Sequence, residues 1–308
     1  MPQITAVSLV SAVLVSWNRR QQLRAALDSL FAQNYPELEV LVADNGSTDG
    51  TSEMLASDYA GRVTVLPMGR NVGPAVARNA AVAAARGTYL LFMDSDAVLL
   101  TPKAIANLVA QLEREARLAA VTGVIYLDRE CRNVWLWGGK VDPWGYIDIA
   151  RSRGPGHPVD VVSTCFSVAR RESIVKAGGF DPFYFYMHED TDLFLRIARM
   201  GYRFAVDRNV AVWHDMRPDG RKPTSLFDRA RHFEYRRIYM MLKLYGLSGY
   251  LRSLPGTLGH YRRLLDDLGV PRLTRAQELY LFGVMPLAVL WLYAQAKAAR
   301  QKRFLPPS

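Results

Sequence analysis

The sequence is poor in cysteine and contains no internal repeat or low-complexity tract. Its two cysteines, Cys131 and Cys165, are too few for a disulfide framework, and their spacing matches no metal-binding motif. We therefore expect a protein of a reducing compartment. The apolar N-terminal stretch MPQITAVSLVSAVLVSW lacks a basic leader and a clear cleavage site, so we interpret it as a first strand and not as a signal peptide.

Acidic residues are outnumbered by basic ones. The 308 residues include 39 Lys and Arg but 29 Asp and Glu, which gives a formal net charge of +10. An excess of positive charge suits a polyanionic partner, such as a nucleotide, a nucleic acid or an acidic membrane face. Since 50% of the residues are hydrophobic, the length and composition allow one large domain, with or without an appendage.

Strand-like and helix-like segments alternate through the N-terminal part of the sequence. Short β-branched runs such as VSAVLVS and LEVLVAD alternate with helical patterns such as PAVARNAAVAAARG. This alternation predicts an α/β fold with a mainly parallel sheet flanked by helices. Ligands of such sheets bind beyond the carboxyl ends of the strands, and the predicted strand ends carry Ser16, Trp17, Asn18, Asp44 and Asp94.

The composition changes near residue 226, where the sequence becomes helical, basic and aromatic. We therefore divide the chain into an N-terminal domain, residues 1–225, and a helical C-terminal region, residues 226–308. Within that region the stretch 279–296 is uncharged, Thr274 and Gln277 have the spacing of a capping box, and basic residues follow. A bilayer span needs about 20 apolar residues, and this stretch is interrupted by a proline and a glutamine. We expect a buried or interfacial helix and not a span.

Two aspartates interrupt an apolar run in LLFMDSDAVLL, residues 90–100. Asp94 and Asp96 end the fourth predicted strand, where burying two carboxylates is costly unless a cation neutralises them. Three interpretations are open: a solvated loop in which one aspartate caps the next helix, a haloacid-dehalogenase-like phosphatase with Asp94 as nucleophile, or a clamp in which a divalent ion joins the carboxylates to substrate phosphates. The phosphatase normally carries its pair on the first strand, which disfavours that interpretation.

Six sequence blocks occur in order between residues 7 and 215: VSWNRRQQLRAALDSLFAQ, VADNGSTDGT, NVGPAVARNAA, YLLFMDSDA, GGFDPFYFYMHEDTDLFLRIARMGYRF and VWH. Together they resemble the inverting glycosyltransferases of family 2, which have the GT-A fold, and most of all their bacterial rhamnosyltransferase-like branch. The resemblance implies that residues 1–225 form a Rossmann-like GT-A catalytic domain. Residues 226–308 would be a helical appendage that contacts a membrane surface.

The resemblance also implies a nucleoside diphosphate sugar as donor and Mn²⁺ or Mg²⁺ as cofactor. The metal ligands would be Asp94, Asp96 and His214, and Asp94 and Ser95 would contact the donor. For His214 the alternative is a structural role. Arg78 resembles a family residue close to the nucleotide and its phosphates, and the alternative is a solvated helix arginine.

The end of the second predicted strand carries Asp44, which would contact the nucleotide base. The carboxylate of Asp44 can accept the imide N–H of uracil or thymine, or the N1–H and N2–H of guanine, so the donor would be UDP-, dTDP- or GDP-linked. The alternative is an Asx-turn that opens the loop DNGS. Ser16, Trp17 and Asn18 would border the donor, with Trp17 either stacking on the base or filling the core.

Three acids, Glu189, Asp190 and Asp192, cluster at a predicted helix start. Acidic residues commonly complement the helix dipole there. The resemblance implies instead that Asp190 is the catalytic base, which takes the proton of the acceptor hydroxyl as its oxygen attacks the anomeric carbon. Glu189 is the less favoured base or orients the acceptor, and Asp192 would orient the acceptor or the backbone.

These expectations combine into an inverting transfer of a hexosyl or rhamnosyl group, by direct displacement, to a hydroxyl of a glycan or polyprenyl-linked acceptor in cell-surface polysaccharide synthesis. We expect a cytoplasmic enzyme, peripheral on the inner face of the cell membrane, with no nucleic-acid partner. Two other functions stay open: the phosphatase, and a non-catalytic nucleotide-sugar-binding or membrane-scaffolding protein.

Overall fold

The computed structural model describes residues 7–148, 158–185, 187–216, 225–267, 273–300 and 302–305. The chain forms two compact units. The first comprises residues 1–140, 149–219 and 303–308, and the second comprises residues 141–148 and 220–302.

A nine-stranded mixed sheet is the centre of the first unit, as far as the described residues show. Numbered in chain order, its strands are β1 (Val10–Ser16), β2 (Leu38–Asp44), β3 (Thr64–Pro67), β4 (Tyr89–Asp94), β5 (Ala97–Leu99), β6 (Leu118–Tyr126) and β7 (Val134–Leu136), followed by β10 (Phe166–Arg170) and β11 (Arg203–His214). The short strands β8 (Lys140–Val141) and β9 (Ile147–Asp148) pair separately. The sheet order is β3-β2-β1-β4-β10-β6-β11-β5, with β7 paired to β6.

Strand direction divides this sheet into two parts. β1 to β4 are mutually parallel where they pair, whereas β10 lies antiparallel to both β4 and β6, and β5 lies antiparallel to β11. The predicted α/β class with a mainly parallel, helix-flanked sheet is confirmed.

Six helices accompany the sheet in the described part of the first unit: α1 (Arg20–Phe31), α2 (Thr51–Asp58), α3 (Pro74–Ala84), α4 (Ala104–Arg114), α5 (Arg171–Lys176) and α6 (Glu189–Arg199). α1 buries Leu23, Leu27 and Leu30, which recur at helical spacing on one face. Pro74 occupies the first turn of α3, where its missing N–H leaves no hydrogen bond unmade.

The register of the parallel strands brings their polar ends together. Ser16 lies opposite Asp44, and Val15 lies opposite Asp94, so β1, β2 and β4 end at nearly the same level. Since the carboxyl ends of parallel strands form one edge of the sheet, the strand-end residues named above share that edge.

The second unit is helical. It contains α7 (Leu226–Asp267), α8 (Arg275–Leu279) and α9 (Val289–Ala299), with a π-helical turn (Tyr280–Val284) and a 3-10 turn (Met285–Ala288) between α8 and α9. α7 is interrupted at Gly246, whose φ of 72° is non-helical. The predicted capping box is confirmed, because the side chains of Thr274 and Gln277 bond each other's backbone N–H groups.

The uncharged stretch near the C-terminus is bent. Among the described residues, no single helix is long and apolar enough to cross a membrane. The segments Arg275–Ala288 and Trp291–Ala299 meet those length and composition criteria only together, and they are bent by 61°. Pro286 lies in the 3-10 turn before this bend, and proline is a common cause of helix kinks.

Candidate active site

The two aspartates of the DSD motif lie at the end of β4, with Asp94 as its last residue and Asp96 in the short loop that follows. Ser95 and Asp96 are buried, whereas the side chain of Asp94 is 32% exposed. Backbone hydrogen bonds fix both ends of the loop, from the N–H of Asp94 to the carbonyl of Cys165 (2.9 Å) and from the N–H of Asp215 to the carbonyl of Asp96 (2.7 Å). The helix-capping interpretation is wrong, because α4 begins after Lys103 and has no side-chain cap.

Two arginines neutralise these carboxylates. Arg78 on α3 donates from Nη2 to Asp94 Oδ1 (2.9 Å) and from Nη1 to Glu189 Oε1 (2.8 Å), and Arg19 donates to Asp96 Oδ2. Arg78 is buried, so it is not a solvated helix arginine. Burial disfavours its charge, but the surrounding carboxylates of Asp94 and Glu189 outweigh this and raise its pKa.

His214, the last residue of β11, reaches the same loop. Its Nε2 lies 3.3 Å from Asp96 Oδ1, and its ring packs 4.4 Å, centroid to centroid, from that of Trp135. Burial lowers the pKa of His214, which favours the neutral imidazole that binds metal ions. Its Nδ1 is buried and has no hydrogen-bond partner among the described residues.

A group of three possible metal ligands lies at this point. Ligand atoms of Asp94, Cys165 and His214 all lie within 4.8 Å of one another. Asp96 contacts His214 but, among the described residues, is not a member of this group. Burial raises the pKa of the Cys165 thiol well above its ordinary range.

The acids at the start of α6 follow an unusual backbone. Met187 and His188 both have positive φ, 70° and 66°, a conformation that costs a non-glycine residue about 1–2 kcal/mol. Such strain tends to occur at functional sites. It places Glu189 against Arg78 and leaves the buried Oε2 of Glu189 without a partner among the described residues.

Asp190 is held by backbone and hydroxyl groups. Its Oδ1 accepts from the N–H of Thr191 (2.7 Å), and its Oδ2 lies 3.4 Å from the N–H of Thr164 and 3.5 Å from Ser163 Oγ. Burial raises the pKa values of both Glu189 and Asp190. The charge of Asp190 raises the pKa of Glu189 further, and the charge of Asp94 does the same for Asp190. A carboxylate with a raised pKa is a stronger proton acceptor.

Asp192 is in a different environment from its two neighbours. Its side chain is fully buried, accepts from Tyr184 Oη (3.2 Å) and pairs with Arg196 (2.8 Å) on the same helix. Arg196 in turn donates to the carbonyls of Ala177 and Gly179. Asp192 therefore fixes the loop that leads into α6, as expected of its backbone-orienting role.

The ends of β1 and β2 form a second polar cluster. Asp44 is buried, and its Oδ1 accepts from the N–H of Ser47 (3.0 Å), three residues on, so it stabilises this turn without the two-residue spacing of an Asx-turn. Asn18 bridges the same loop, since its Oδ1 accepts from the N–H of Thr48 (2.7 Å). Trp17 is 37% exposed and thus does not fill the core, and Ser16 Oγ is buried with no hydrogen-bond partner among the described residues.

Comparison with known proteins agrees with this arrangement. Residues 11–177, more than half of the chain, match Glycosyl transferase family 2. The chain is a family 2 glycosyltransferase. Membership of this family excludes the phosphatase interpretation of Asp94.

One curated relative of the glycosyltransferase is the "UDP-Glc:alpha-D-GlcNAc-diphosphoundecaprenol beta-1,3-glucosyltransferase WfaP" of Escherichia coli. The two are 31% identical over 109 residues, which cover 35% of this chain and 43% of the relative. The matched segments span less than half of this relative and of two further curated relatives.

Two solved structures resemble the glycosyltransferase along nearly its whole length. The mannosyltransferase PcManGT from Pyrobaculum calidifontis, solved with GDP-Man and Mn²⁺, has a TM-score of 0.56 at 19% identity, covering 96% of this chain and 88% of the other. GalNAc-T7, solved with UDP, GalNAc and Mn²⁺, has a TM-score of 0.61 at 16% identity, covering 98% and 59%. At these identities the likeness shows the fold alone, and it confirms the predicted GT-A fold.

The site of the glycosyltransferase includes residues that the sequence reasoning missed. Arg19 pairs with Asp96, and Asn79 bonds both backbone groups of Phe180, at 2.7 and 2.8 Å, in the segment before α6. Both residues belong to sequence blocks that resemble the family, and this membership was the signal that could have identified them. Cys165 lies in none of these blocks.

Proposed function

We propose that the protein is an inverting, metal-dependent glycosyltransferase that moves a hexosyl or rhamnosyl group from a nucleoside diphosphate sugar to a hydroxyl acceptor. One observation carries this proposal. Arg78 bonds Asp94 of the DSD motif and Glu189 at the start of α6, so the aspartate proposed for the donor lies in one site with the residue that directly precedes the proposed base, Asp190.

The residues at the DSD loop fit a divalent ion. The possible ligands are the carboxylate oxygens of Asp94 and Asp96 and the neutral imidazole of His214. Mn²⁺ binds both ligand types, whereas Mg²⁺ prefers the carboxylate oxygens. The approach of His214 Nε2 to within 3.3 Å of Asp96 Oδ1 supports this assignment. A bound Mn²⁺ or Mg²⁺ would supply positive charge that stabilises the departing nucleoside diphosphate. Ser95, buried between the two aspartates, would face the donor with Asp94.

Asp190 is the proposed base. The acceptor oxygen forms a bond to the anomeric carbon while the bond from that carbon to the diphosphate oxygen breaks, and the hydroxyl proton passes to a carboxylate oxygen of Asp190. One such displacement inverts the anomeric centre. Thr164 and Ser163 orient Asp190, and Glu189 is the proposed partner that orients the acceptor or Asp190 itself.

The cluster at the ends of β1 and β2 is the proposed nucleotide-base site. Each oxygen of Asp44 accepts one hydrogen bond, from Ser47 N–H and from Ser52 Oγ at 2.6 Å, and keeps a second lone pair for an imide N–H. The donor-side role of Asp44 is thus compatible with its turn. Trp17 would stack on the base, while Ser16 and Asn18 would line the site, which suits a UDP-, dTDP- or GDP-linked sugar.

A cleft beside His214 is the proposed place of the acceptor. It has a volume of about 590 Å³ and is lined by Leu127, Asp128, Arg129, Glu130, Trp213, Asp215 and Met216. The acceptor would be a glycan or a polyprenyl-linked sugar of cell-surface polysaccharide synthesis, a class to which the diphosphoundecaprenol-linked acceptor of the E. coli relative belongs.

The second unit is the proposed membrane contact. The exposed apolar side chains of its bent segment include Tyr280, Val284, Leu287 and Trp291, whose exposed fractions are 39%, 50%, 76% and 55%. Together with the net charge of +10, these exposed side chains suit the anionic inner face of a cell membrane. A peripheral cytoplasmic enzyme with a catalytic domain at residues 1–225 follows from this proposal.

A donor screen tests the function. We expect Mn²⁺-dependent release of nucleoside diphosphate from one of the UDP-, dTDP- or GDP-sugars, and none after chelation. Asp190→Asn should lower kcat by about 10²- to 10⁴-fold and keep the donor affinity, as measured by calorimetry. Binding of a nucleotide sugar with no turnover by the unaltered protein, acceptor extracts included, would instead identify a non-catalytic binding protein.

A further inference from the structure

Cysteine is a common metal ligand, and Cys165 has no role in the proposed reaction. Its thiol is 2% exposed, and it precedes β10, directly beneath the backbone of Asp94. Of the two cysteines, it is the one whose sulfur lies with Asp94 and His214 in a group that could hold a metal ion, among the described residues.

The three donors differ in softness. Carboxylate oxygen suits Mg²⁺ and Mn²⁺, whereas thiolate sulfur together with imidazole nitrogen selects Zn²⁺ and the still softer Cd²⁺. The usual Zn–S, Zn–N and Zn–O bond lengths place tetrahedral ligand atoms roughly 3.4–3.6 Å apart. The ligand atoms here lie within 4.8 Å of one another, so side-chain shifts of about 1 Å close them on an ion.

The surroundings of His214 add an independent indication of a ligand. Its side chain is 10% exposed, and its Nδ1 has no hydrogen-bond partner among the described residues. A buried polar atom without a partner carries an energetic cost that an ion would remove. Trp135 packs on the imidazole ring and restricts its rotation.

We propose that Asp94, Cys165 and His214 form a site for a thiophilic divalent cation, Zn²⁺ or Cd²⁺, which binds by displacing the thiol proton into solvent. The sulfur ligand distinguishes this site from the oxygen-rich Mn²⁺ or Mg²⁺ site. Because the two sites share Asp94 and His214, they exclude one another. Zn²⁺ is therefore an inhibitor of the enzyme, a consequence that rests on the proposed function, whereas the binding itself does not.

Cadmium titration of the full chain tests the binding without any activity measurement. Unaltered protein should develop the ultraviolet thiolate-to-cadmium charge-transfer band at one equivalent of Cd²⁺. Cys165→Ser should lose the band and weaken Cd²⁺ binding by at least about 10-fold, while its Mn²⁺ affinity stays unchanged because hard ions do not depend on the sulfur. Cys131→Ser, which removes the other cysteine, is the matched control and should keep the band.

Two further measurements decide the outcome if Cys165 variants are unstable. Thermal melting of metal-free Cys165→Ser and Cys165→Ala shows whether they fold, and cadmium NMR of the unaltered protein reports whether one sulfur ligates the ion. A band that persists in Cys165→Ser, or a cadmium signal without sulfur ligation, overturns the proposal. If binding holds but no nucleotide sugar is ever turned over, the proposed function fails and the metal site remains.

Discussion

The guanidinium of Arg19 is hydrogen-bonded to Asp96 Oδ2, on the far side of that carboxylate from His214. The pair is largely buried, with 18% of the Arg19 side chain and 8% of the Asp96 side chain exposed. A divalent ion that binds Asp96 therefore competes with an arginine for the same oxygen atoms. Under the proposed function, the donor and its metal ion would displace Arg19 from this position.

Removal of this arginine should strengthen metal binding by the free protein. We expect Arg19→Ala to raise the Mn²⁺ affinity about 3- to 10-fold, the equivalent of about 1 kcal/mol for a partly buried ion pair. Titration of Mn²⁺ followed by electron paramagnetic resonance, without nucleotide, measures the change. Arg20→Ala removes the same charge one residue further on, at an exposed position. Equal effects of the two variants would show that general charge repulsion, and not occupation of Asp96, is responsible.

The acidic side of the pH profile of kcat/KM, its acid limb, should reflect the ionisation of Glu189 and Asp190 at the start of α6. Since burial raises the pKa of Asp190 above its ordinary value of 3.8, kcat/KM should fall as the pH drops through that raised value and the base becomes protonated. Glu189→Gln removes the negative neighbour and leaves Arg78 free to favour ionised Asp190, so the limb should move to lower pH. Glu172→Gln, which alters an exposed acid on α5, should leave the limb in place. A limb that moves to higher pH in Glu189→Gln contradicts this coupling.

Much of the candidate site could be predicted because its residues follow local sequence patterns. Asp44 and Asp94 follow β-branched runs, and the register of β1, β2 and β4 brings such ends together. The ion pairs were not predictable in the same way. Arg78 reaches Glu189 across 111 positions in the sequence, and neither residue indicates the other without the fold. By contrast, the Asp192–Arg196 pair has the i, i+4 spacing of a helix surface, a signal that the sequence reasoning overlooked.

In the fold too, individual elements were predictable from local sequence, whereas contacts between distant segments were not. The apolar pattern of β10 does not record its direction, and this strand lies antiparallel between β4 and β6. In the second unit, the helix beginning near residue 226 was predictable from its composition. Its partner segment 141–148 was not, because buried Tyr146 donates to Glu234, 88 positions away.

Gly73, in the NVGPAVAR block, should tolerate no side chain. Its φ is +81°, and an added Cβ would lie 2.9 Å from the carbonyl oxygen of Phe185, four residues before Glu189. We expect Gly73→Ala to lower kcat/KM about 10- to 100-fold, because a shift of the Phe185 segment misplaces the acids of α6. Gly69→Ala is the matched control, since Gly69 has a φ of +71° but nothing within 4 Å of an added Cβ. Both variants lose stability through positive φ, and a loss of activity in both would point to strain alone.

The second unit depends on a buried ion pair within α7. Arg237 and Glu234 are 2% and 1% exposed, and Arg237 also donates to the carbonyl of Trp144. Glu234→Gln leaves the guanidinium charge uncompensated, so we expect the free energy of unfolding to fall by about 3 kcal/mol. Urea unfolding followed by tryptophan fluorescence measures it. A second substitution, Arg237→Met, should recover part of the loss because it removes the unpaired charge.

An exposed pair on the same helix provides the comparison for this prediction. Asp228 and Arg231 have the same i, i+3 spacing, but their side chains are 44% and 42% exposed. Water screens such a pair, so Asp228→Asn should leave the urea midpoint nearly unchanged. If Glu234→Gln is equally harmless, the buried charge of Arg237 must be compensated by its remaining backbone contact and by relaxation of the helix. The pair would then contribute to the specificity of packing around Tyr146 and not to stability.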